Sequence, residues 1–183
     1  MFLKMNVPYK VVGSYYFYNR KEVKDLICYL RLILNNDDEI SLRRVINVPK
    51  RGIGDATINK LESEAKEQNT SIFQVISKGK EQLFKELILH LTEESKNLSL
   101  TDLIDLILSE TGIREEYEND KTMESERRLE VLEEFKSITK TFEERTGSED
   151  LADFLEEISL IADITEHQED DDVVTLMTMH SAK

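Results

Sequence analysis

The sequence is poor in the residues that interrupt helices. Its 183 residues include only six glycines and two prolines, whereas 34% of them are charged. Because glycine and proline disfavour helix interiors, this composition favours a mainly helical fold and argues against a β-sandwich, a collagen-like chain or a disordered chain. The hydrophobic content of 39% is enough for a buried core.

Cysteine is almost absent too. Cys28 is the single cysteine, so the sequence offers no internal disulfide and no cysteine-based metal site, which fits a reducing cytoplasm. Cys28 lies off the apolar stripe of its helix, and we interpret it as an inert filler. The first ten residues have too short an apolar run for a signal peptide, and no segment approaches a membrane span. We therefore expect a cytoplasmic protein without membrane contact.

Positive charge is scarce but concentrated. The chain has 24 Lys and Arg against 38 Asp and Glu, a formal net charge of −14, which repels nucleic acid as a whole. Any contact with DNA must therefore be local. Residues 43–60 hold one acidic residue, Asp55, and five basic ones, which are Arg43, Arg44, Lys50, Arg51 and Lys60.

Hydrophobic periodicity predicts a strand followed by helices. The run Tyr9-Lys10-Val11-Val12 favours a strand that ends at Gly13. Apolar residues then recur at helical spacing as far as Leu34, and Asn19 is the expected N-cap. A second helix is expected from a Ser41 cap to Pro49, and a third begins at an Asp55 cap.

The remainder of the chain continues the helical pattern. Gly112 and Gly147 are expected to end helices, and Ser148 to cap the last one. The acidic segment 163–172 is expected to be an exposed linker before a final buried strand over 173–179. The further helices are predicted at about residues 71–78, 81–95, 100–110, 124–145 and 149–161.

The order of these elements suggests an inserted domain. One strand near the start and one at the end bracket a continuous helical block. Since an insertion leaves from one strand of an α/β sheet and returns at another, the two strands would belong to the host domain.

The best local signal for chemistry is a glycine hairpin at residues 50–55. Gly52 and Gly54 permit positive φ and a close backbone approach, and the amides at the start of the next helix suit a phosphate. With Lys50 before the glycines and Lys60 after them, the pattern resembles a helix-hairpin-helix element, which holds a DNA backbone without reading bases. On residues alone, a basic turn whose glycines only reverse the chain is an equally good interpretation.

Three segments, in order, resemble superfamily 1 DNA helicases of the UvrD, PcrA and Rep type. The first is VPYKVVG at residues 7–13 with FYNRKEVKD at 17–25 and YLRL at 29–32. The second is NVPKRGIG at 47–54, and the third is LMTMHSAK at 176–183. Ser14 and Met179 depart from the usual family residues, glycine and leucine. The resemblance covers the chain from end to end, and the third motif breaks off before its usual GLEF continuation.

The resemblance implies a division of the chain and a set of DNA contacts. Residues 17–172 would be the helical 2B subdomain, and residues 1–16 and 173–183 would be pieces of the RecA-like 2A subdomain. Thr178 and His180 would contact single-stranded DNA. The residues implied at the duplex are Lys50, Arg51, Gly52, Ile53, Gly54, Thr57 and Lys60.

By the same resemblance, the parent enzyme would be an ATP-dependent 3′ to 5′ helicase acting in repair or replication. Its 2B subdomain would swivel on hinges near Gly13-Ser14 and within 163–172, and so regulate unwinding. Its partners would be a junction of duplex and single-stranded DNA and the subdomains 1A, 1B and 2A. The chain has no G-x-x-x-x-G-K-[ST] loop, so ATP and magnesium are expected in the parent and no cofactor here.

Other clusters do not form a site by their spacing. We expect Arg20, Glu22, Lys24 and Asp25 to be a solvated first helical turn, the adjacent glutamate pairs to diverge, and His90 and His167 to bind no metal. Two alternatives stay open: an acidic helical module that binds protein and not DNA, and an autonomous helix-hairpin-helix protein.

Overall fold

The computed structural model describes residues 9–12, 17–166 and 174–177 of the chain. Its body is helical, which confirms the mainly α class expected from composition. The helices are α1 (Lys21–Leu34), α2 (Glu39–Val45), α3 (Asp55–Gln68), α4 (Ile72–Val75), α5 (Gly79–Glu94), α6 (Leu100–Glu110), α7 (Ile113–Asp120), α8 (Met123–Thr146) and α9 (Leu151–Glu166).

Two short strands lie at the ends of the described chain. Strand β1 (Tyr9–Val12) pairs in parallel with β2 (Val174–Met177), and the register places Tyr9 opposite Val174. Parallel strands need a long crossover connection, and here the connection between them contains all nine helices of the described residues.

Helix α1 is the centre of the helical body. It packs against α2, α5, α6, α8 and α9. Apolar residues occupy more than one of its faces, and Leu26, Tyr29 and Leu32 are completely buried. A helix that is apolar on several sides is stable only when neighbours surround it, which explains its central place.

Aromatic side chains join α8 and α9 to the start of α1. The ring of Phe135 on α8 lies 6.4 Å from that of Phe17 and 5.8 Å from that of Phe154 on α9. The ring of Phe142 lies 5.2 Å from that of Phe154. Phe135 is completely buried, so this cluster is a part of the core that joins α8 to α9 and to the chain before α1.

Helix α6 begins and ends where the sequence predicts, but a helix after it was missed. Gly112 adopts φ 82° between α6 and α7, so the chain turns sharply and a new helix starts. This new helix, α7, buries Ile113 and Tyr117 on one face. The prediction that Gly112 ends a helix is right, but the glycine also begins the next one.

The predicted caps were wrong at three helices: α1 and α3 start without a side-chain cap, and a neighbouring residue caps α2. Arg20 and not Asn19 precedes α1, and Gly54 and not Asp55 precedes α3. Asp38 caps α2, where its carboxylate accepts a hydrogen bond from the Ser41 amide.

The start of α9 also differs from the prediction, because Asp150 and not Ser148 caps the helix. The carboxylate of Asp150 accepts hydrogen bonds from the amides of Ala152 and Asp153, at 2.7 and 3.1 Å. Ser148, the expected cap, donates instead to the carboxylate of Asp153. Gly147 ends α8 in the left-handed conformation, as predicted.

Two further boundaries correct the sequence interpretation. Helix α4 is one turn only, because the chain is extended at Ile76 and α5 already starts at Gly79. Residues 163–166 of the expected acidic linker belong to α9, and residues 167–173 lie outside the described part. The expected hinge at Gly13-Ser14 also lies outside it. Within the described ranges, every helix is too short or too polar to cross a membrane.

Candidate nucleic-acid interface

The glycine hairpin, residues 50–55, lies between α2 and α3 and is held by side-chain contacts on its inner side. The Oδ1 atom of Asn47 accepts hydrogen bonds from the amides of Arg51 and Ile53, at 2.8 and 3.2 Å. The Ile53 side chain is only 2% exposed and packs into the core. Ile53, one of the predicted duplex contacts, is therefore buried.

The side chain of Arg51 also points inward. Its Nη1 donates to the carbonyls of Val45, Val48 and Pro49, at 3.3, 2.8 and 3.2 Å. Its Nη2 donates to the Tyr29 hydroxyl at 3.0 Å and to the Thr111 carbonyl at 3.2 Å. The guanidinium thus ties the hairpin to α1 and to the end of α6.

The ring of Phe84 on α5 completes the surroundings of this guanidinium. The guanidinium carbon of Arg51 lies 5.4 Å from the centre of the ring, within the range of a cation–π contact. The cluster of carbonyl acceptors and the aromatic face suit the planar guanidinium of arginine better than the ammonium of lysine.

Tyr29 is the partner of Arg51 on the central helix. Its ring is completely buried, and its hydroxyl donates to the carbonyl of Val48. Burial raises the pKa of Tyr29 to about 12, against an opposing effect of the Arg51 charge and its hydrogen bond. The phenol therefore stays protonated and serves as a structural donor and acceptor.

The outer side of the hairpin consists of backbone and lysines. Gly52 has φ 72°, a conformation that favours glycine, whereas Gly54 is extended and any residue can adopt its backbone angles. A β-carbon added at Gly54 would meet nothing within 4 Å, so this glycine faces open space. Lys50 and both glycines are exposed.

The first turn of α3 continues this outer surface. Gly54 is the N-cap, and its carbonyl accepts from the amides of Thr57 and Ile58, at 3.0 and 3.2 Å. The first amides of a helix have no acceptor within the helix and lie at its positive dipole end. Thr57 is half-buried, and the exposed Lys60 lies 3.8 Å from the carboxylate of Glu64.

The structure adds two basic residues that the sequence interpretation did not include. Lys78 and Lys80 lie at the start of α5, and the ammonium of Lys80 is beside Gly52. The sequence signal that could have indicated these two lysines is the short run Ser77-Lys78-Gly79-Lys80, but it is far from the hairpin in sequence.

The charged cluster at the start of α1 is structural, but it is not the solvated turn that the spacing suggested. Glu22 and Asp25 are 8% and 3% exposed. The Oδ1 atom of Asp25 accepts from Nε of Arg44 at 2.7 Å, which joins α1 to α2. Burial raises the pKa of Asp25 above its usual value, although the positive charges of Arg44 and Lys21 oppose the shift.

Other groups considered from the sequence are engaged elsewhere. Glu133 lies near Arg114 and Lys136, Glu143 accepts from Thr101, and Glu157 pairs with Arg145. Within the described ranges, His, Cys, Asp and Glu do not form a group that could hold a metal ion.

The last sequence predictions concern the lone cysteine and the single-strand contacts. Cys28 is half-buried, and burial raises the pKa of its thiol. Thr178 and His180, the predicted single-strand contacts, lie outside the described residues.

Comparison with known proteins decides the family. A family model of the UvrD-like helicase C-terminal domain matches residues 1–183. The chain belongs to the UvrD-like helicase C-terminal domain family. It is 44% identical over 195 aligned positions to the ATP-dependent DNA helicase PcrA of Staphylococcus aureus (strain Mu50) and, equally, to that of Staphylococcus epidermidis (strain RP62A).

The resemblance to UvrD- and PcrA-type helicases is thereby confirmed over the whole chain. Both alignments cover 100% of this member of the UvrD-like family and 27% of the relative. The chain thus spans about a quarter of the length of the curated relatives it matches.

Proposed function

We propose that this chain is the region of an ATP-dependent DNA helicase that contacts duplex DNA and regulates unwinding. Residues 17–172 would form the 2B subdomain, and the parallel strands would belong to the RecA-like 2A subdomain. ATP and magnesium would bind in other subdomains of a parent enzyme that moves 3′ to 5′. Family membership supports this proposal, and the parallel pairing of β1 with β2 agrees with an insertion.

The observation that carries the proposed DNA contact is the division of the hairpin into two sides. The inner side is occupied by Arg51 and Ile53, which anchor the turn to the core. The outer side presents exposed glycine backbone with Lys50 before it and the start of α3 after it. Backbone amides and lysines bind phosphates without regard to sequence.

This division changes the proposed role of Arg51. Its side-chain donors are used on protein acceptors, so we propose that Arg51 positions the hairpin and that Lys50, Thr57, Lys60 and the glycine backbone face the duplex. A phosphate would approach at Gly54, where the structure leaves open space. Binding would be non-specific, with a dissociation constant on the order of 10⁻⁴ M or weaker at physiological salt.

The test is a fluorescence anisotropy titration of the chain against a duplex with a 3′ single-stranded tail, at several low salt concentrations. Gly54→Val fills the open space with a side chain that its extended backbone accepts. Gly54→Ser is the matched control, because serine is small and caps helices well. Circular dichroism and urea unfolding would establish that both variants fold.

Binding that weakens with salt, persists in Gly54→Ser and is lost in Gly54→Val would support the proposal. Equal binding by all three proteins would move the contact away from the hairpin. No binding at the lowest salt would favour the alternative supported by the net charge of −14, an acidic helical module that docks on protein.

A further inference from the structure

We propose that the surface between α8 and α9 is a docking site for a basic amphipathic helix of a partner protein. Two depressions of about 250 and 320 Å³ lie on this surface. It is formed by other helices than those beside the glycine hairpin, so the inference goes beyond the proposed DNA contact and does not depend on it. The two depressions together are called the acidic groove below, and the lining residues that carry the argument are Glu134, Ile138, Phe142, Glu156, Glu157 and Leu160.

The floor of the acidic groove is apolar and firmly packed. Phe142 lines both depressions, which shows that they adjoin, and it is only 4% exposed. Its ring lies 5.2 Å from that of Phe154 on α9, within the aromatic cluster of the core. A floor built on core residues has its shape before a partner arrives, so docking orders few side chains and costs little conformational entropy.

Each depression adds one apolar side chain of its own. Ile138 on α8 lines the first depression and is half-buried. Leu160 on α9 lines the second and is 55% exposed. A single exposed leucine is ordinary on a protein surface, but Leu160 stands beside a depression with room for an apolar side chain of a partner.

The rim of the acidic groove carries more negative than positive charge. The lining has one basic side chain, Arg145, and four acidic ones, which are Glu134, Asp153, Glu156 and Glu157. Nη2 of Arg145 donates to both carboxylate oxygens of Glu157, at 2.6 and 2.5 Å, so these two charges balance. Among the described residues, the other three carboxylates have no basic partner.

The negative field of this rim extends to the chain before α1. Burial raises the pKa of Tyr18, and the carboxylates of Glu157 and Glu134 raise it further. A field of this sign repels phosphate and attracts lysine and arginine side chains. The acidic groove therefore suits a cationic segment of a protein and not a nucleic acid.

The shape of the groove favours a helix as the docked segment. The lining residues on α8 recur along one stripe from Glu134 to Arg145, and those on α9 along another from Asp153 to Leu160. At the rise of an α-helix the stripe on α8 is about 16 Å long, roughly three helical turns. An amphipathic helix places apolar side chains at i, i+3, i+4 and i+7 into a groove of this kind. Basic residues beside those positions would meet the acidic rim.

The experiment is a fluorescence anisotropy titration of the chain with a labelled peptide of about four helical turns. The peptide has leucines at i, i+3, i+4 and i+7 and lysines at its other positions. A second peptide has alanine in place of each leucine, so it keeps the charge and the helix propensity but lacks the large apolar face. Comparison of the two peptides separates docking in the groove from attraction to the net charge of the chain.

Two double variants of equal charge change locate the electrostatic part of the contact. Glu134→Gln with Glu156→Gln removes two exposed carboxylates of the acidic groove. Glu115→Gln with Glu116→Gln is the matched control, because both side chains are exposed on α7, which does not line the groove. Circular dichroism would show that both variants fold.

Two single variants locate the apolar part. Leu160→Ser removes the exposed leucine of the acidic groove. Leu83→Ser is the matched control, because Leu83 is 66% exposed on α5, outside the groove. Both leucines are accessible to water, so their replacement leaves the core unchanged.

We expect the wild-type chain to bind the leucine peptide about tenfold more tightly than the alanine peptide. The glutamate pair in the groove should weaken binding of the leucine peptide about fivefold, against less than about twofold for the α7 pair. Leu160→Ser should weaken it about fivefold as well, because a partly exposed leucine contributes part of its burial, and Leu83→Ser by less than about twofold.

Several results would overturn the inference. Equal affinity for the two peptides, or no binding of the leucine peptide at low salt, would show that the groove does not take an apolar face. Equal weakening by the groove pair and the α7 pair would mean diffuse attraction to the acidic surface. Sedimentation that finds dimers of wild type but monomers of Leu160→Ser would make a second copy of the chain the occupant. The duplex titration of Gly54→Val measures the hairpin, so failure there leaves this inference standing.

Discussion

Nη2 of Arg51 and the hydroxyl of Tyr29 form a hydrogen bond of 3.0 Å between the glycine hairpin and the central helix α1. The same nitrogen donates to the carbonyl of Thr111, at the end of α6. Three segments that are distant in sequence therefore meet at one guanidinium. The shape of the outer, exposed side of the hairpin depends on this buried contact.

Replacing either partner should destabilise the fold. Arg51→Lys loses the planar fork and leaves carbonyls without donors, so we expect a loss of about 2 kcal/mol in the free energy of unfolding, against about 1 kcal/mol for Tyr29→Phe. In urea unfolding, the double variant should lose less than the sum of the two, by roughly 1 kcal/mol. Lys50→Gln, an exposed neighbour, is the control and should change stability by less than about 0.5 kcal/mol. If Arg51→Lys lowered the free energy of unfolding no more than this control does, the result would contradict the anchoring role of Arg51.

Tyr29 should make stability depend on alkaline pH. Its pKa is about 12 in the folded chain against the ordinary value of 10.0, so the folded state holds the proton more tightly than the unfolded state. The stabilisation is complete below pH 10 and is lost as the pH rises towards 12, by about 1 kcal/mol at pH 11. Urea unfolding at pH 9 and 11 would show a smaller loss for Tyr29→Phe than for wild type. An equal loss in the free energy of unfolding in both proteins would contradict the predicted role of Tyr29.

The pair Asp25–Arg44 should respond unequally to removal of its two charges. Oδ2 of Asp25 has no hydrogen-bond partner in the described structure, and burial raises its pKa, so the charged carboxylate is poorly stabilised. Asp25→Asn keeps an oxygen for Arg44 and should change the free energy of unfolding by less than about 1 kcal/mol. Arg44→Met leaves a buried charge and should cost about 1–2 kcal/mol, reduced because Arg44 is partly exposed.

Lys96→Met is a suitable control for this comparison, since Lys96 and its partner Glu93 are 60% and 69% exposed. Its effect should stay below about 1 kcal/mol. Because the raised pKa of Asp25 belongs to the folded chain, its protonated form contributes stability at acid pH. That contribution is lost as the pH rises through the folded pKa and should be missing in Asp25→Asn.

The aromatic cluster should determine how firmly α8 and α9 pack. Phe135 is completely buried between Phe17 and Phe154, so Phe135→Ala should cost about 3–5 kcal/mol in urea unfolding. Leu160→Ala is the control, because Leu160 is 55% exposed, and we expect less than about 0.5 kcal/mol from it. A small effect of Phe135→Ala would mean that α8 is held mainly by other contacts.

Sequence reasoning worked best where local signals are strong. The periodicity of α1 and the apolar face of α6 predict both helices, because burial of one face leaves a regular pattern. Helix caps were predicted less well, since polar residues compete for the same free amides at α2 and α9, and α1 and α3 start without a side-chain cap. At α2 the carboxylate of Asp38 takes the role expected of Ser41.

The sequence by itself determined the helical class, the family and the place of the glycine hairpin, because composition, periodicity and ordered motifs are properties of the linear chain. Only the tertiary structure decided which hairpin side chains face the core. Arg51 turns inward because Tyr29 and Thr111, from distant segments, offer acceptors there, and Lys80 joins the hairpin because α5 packs beside it. Those directions depend on contacts between remote residues, which local spacing does not encode.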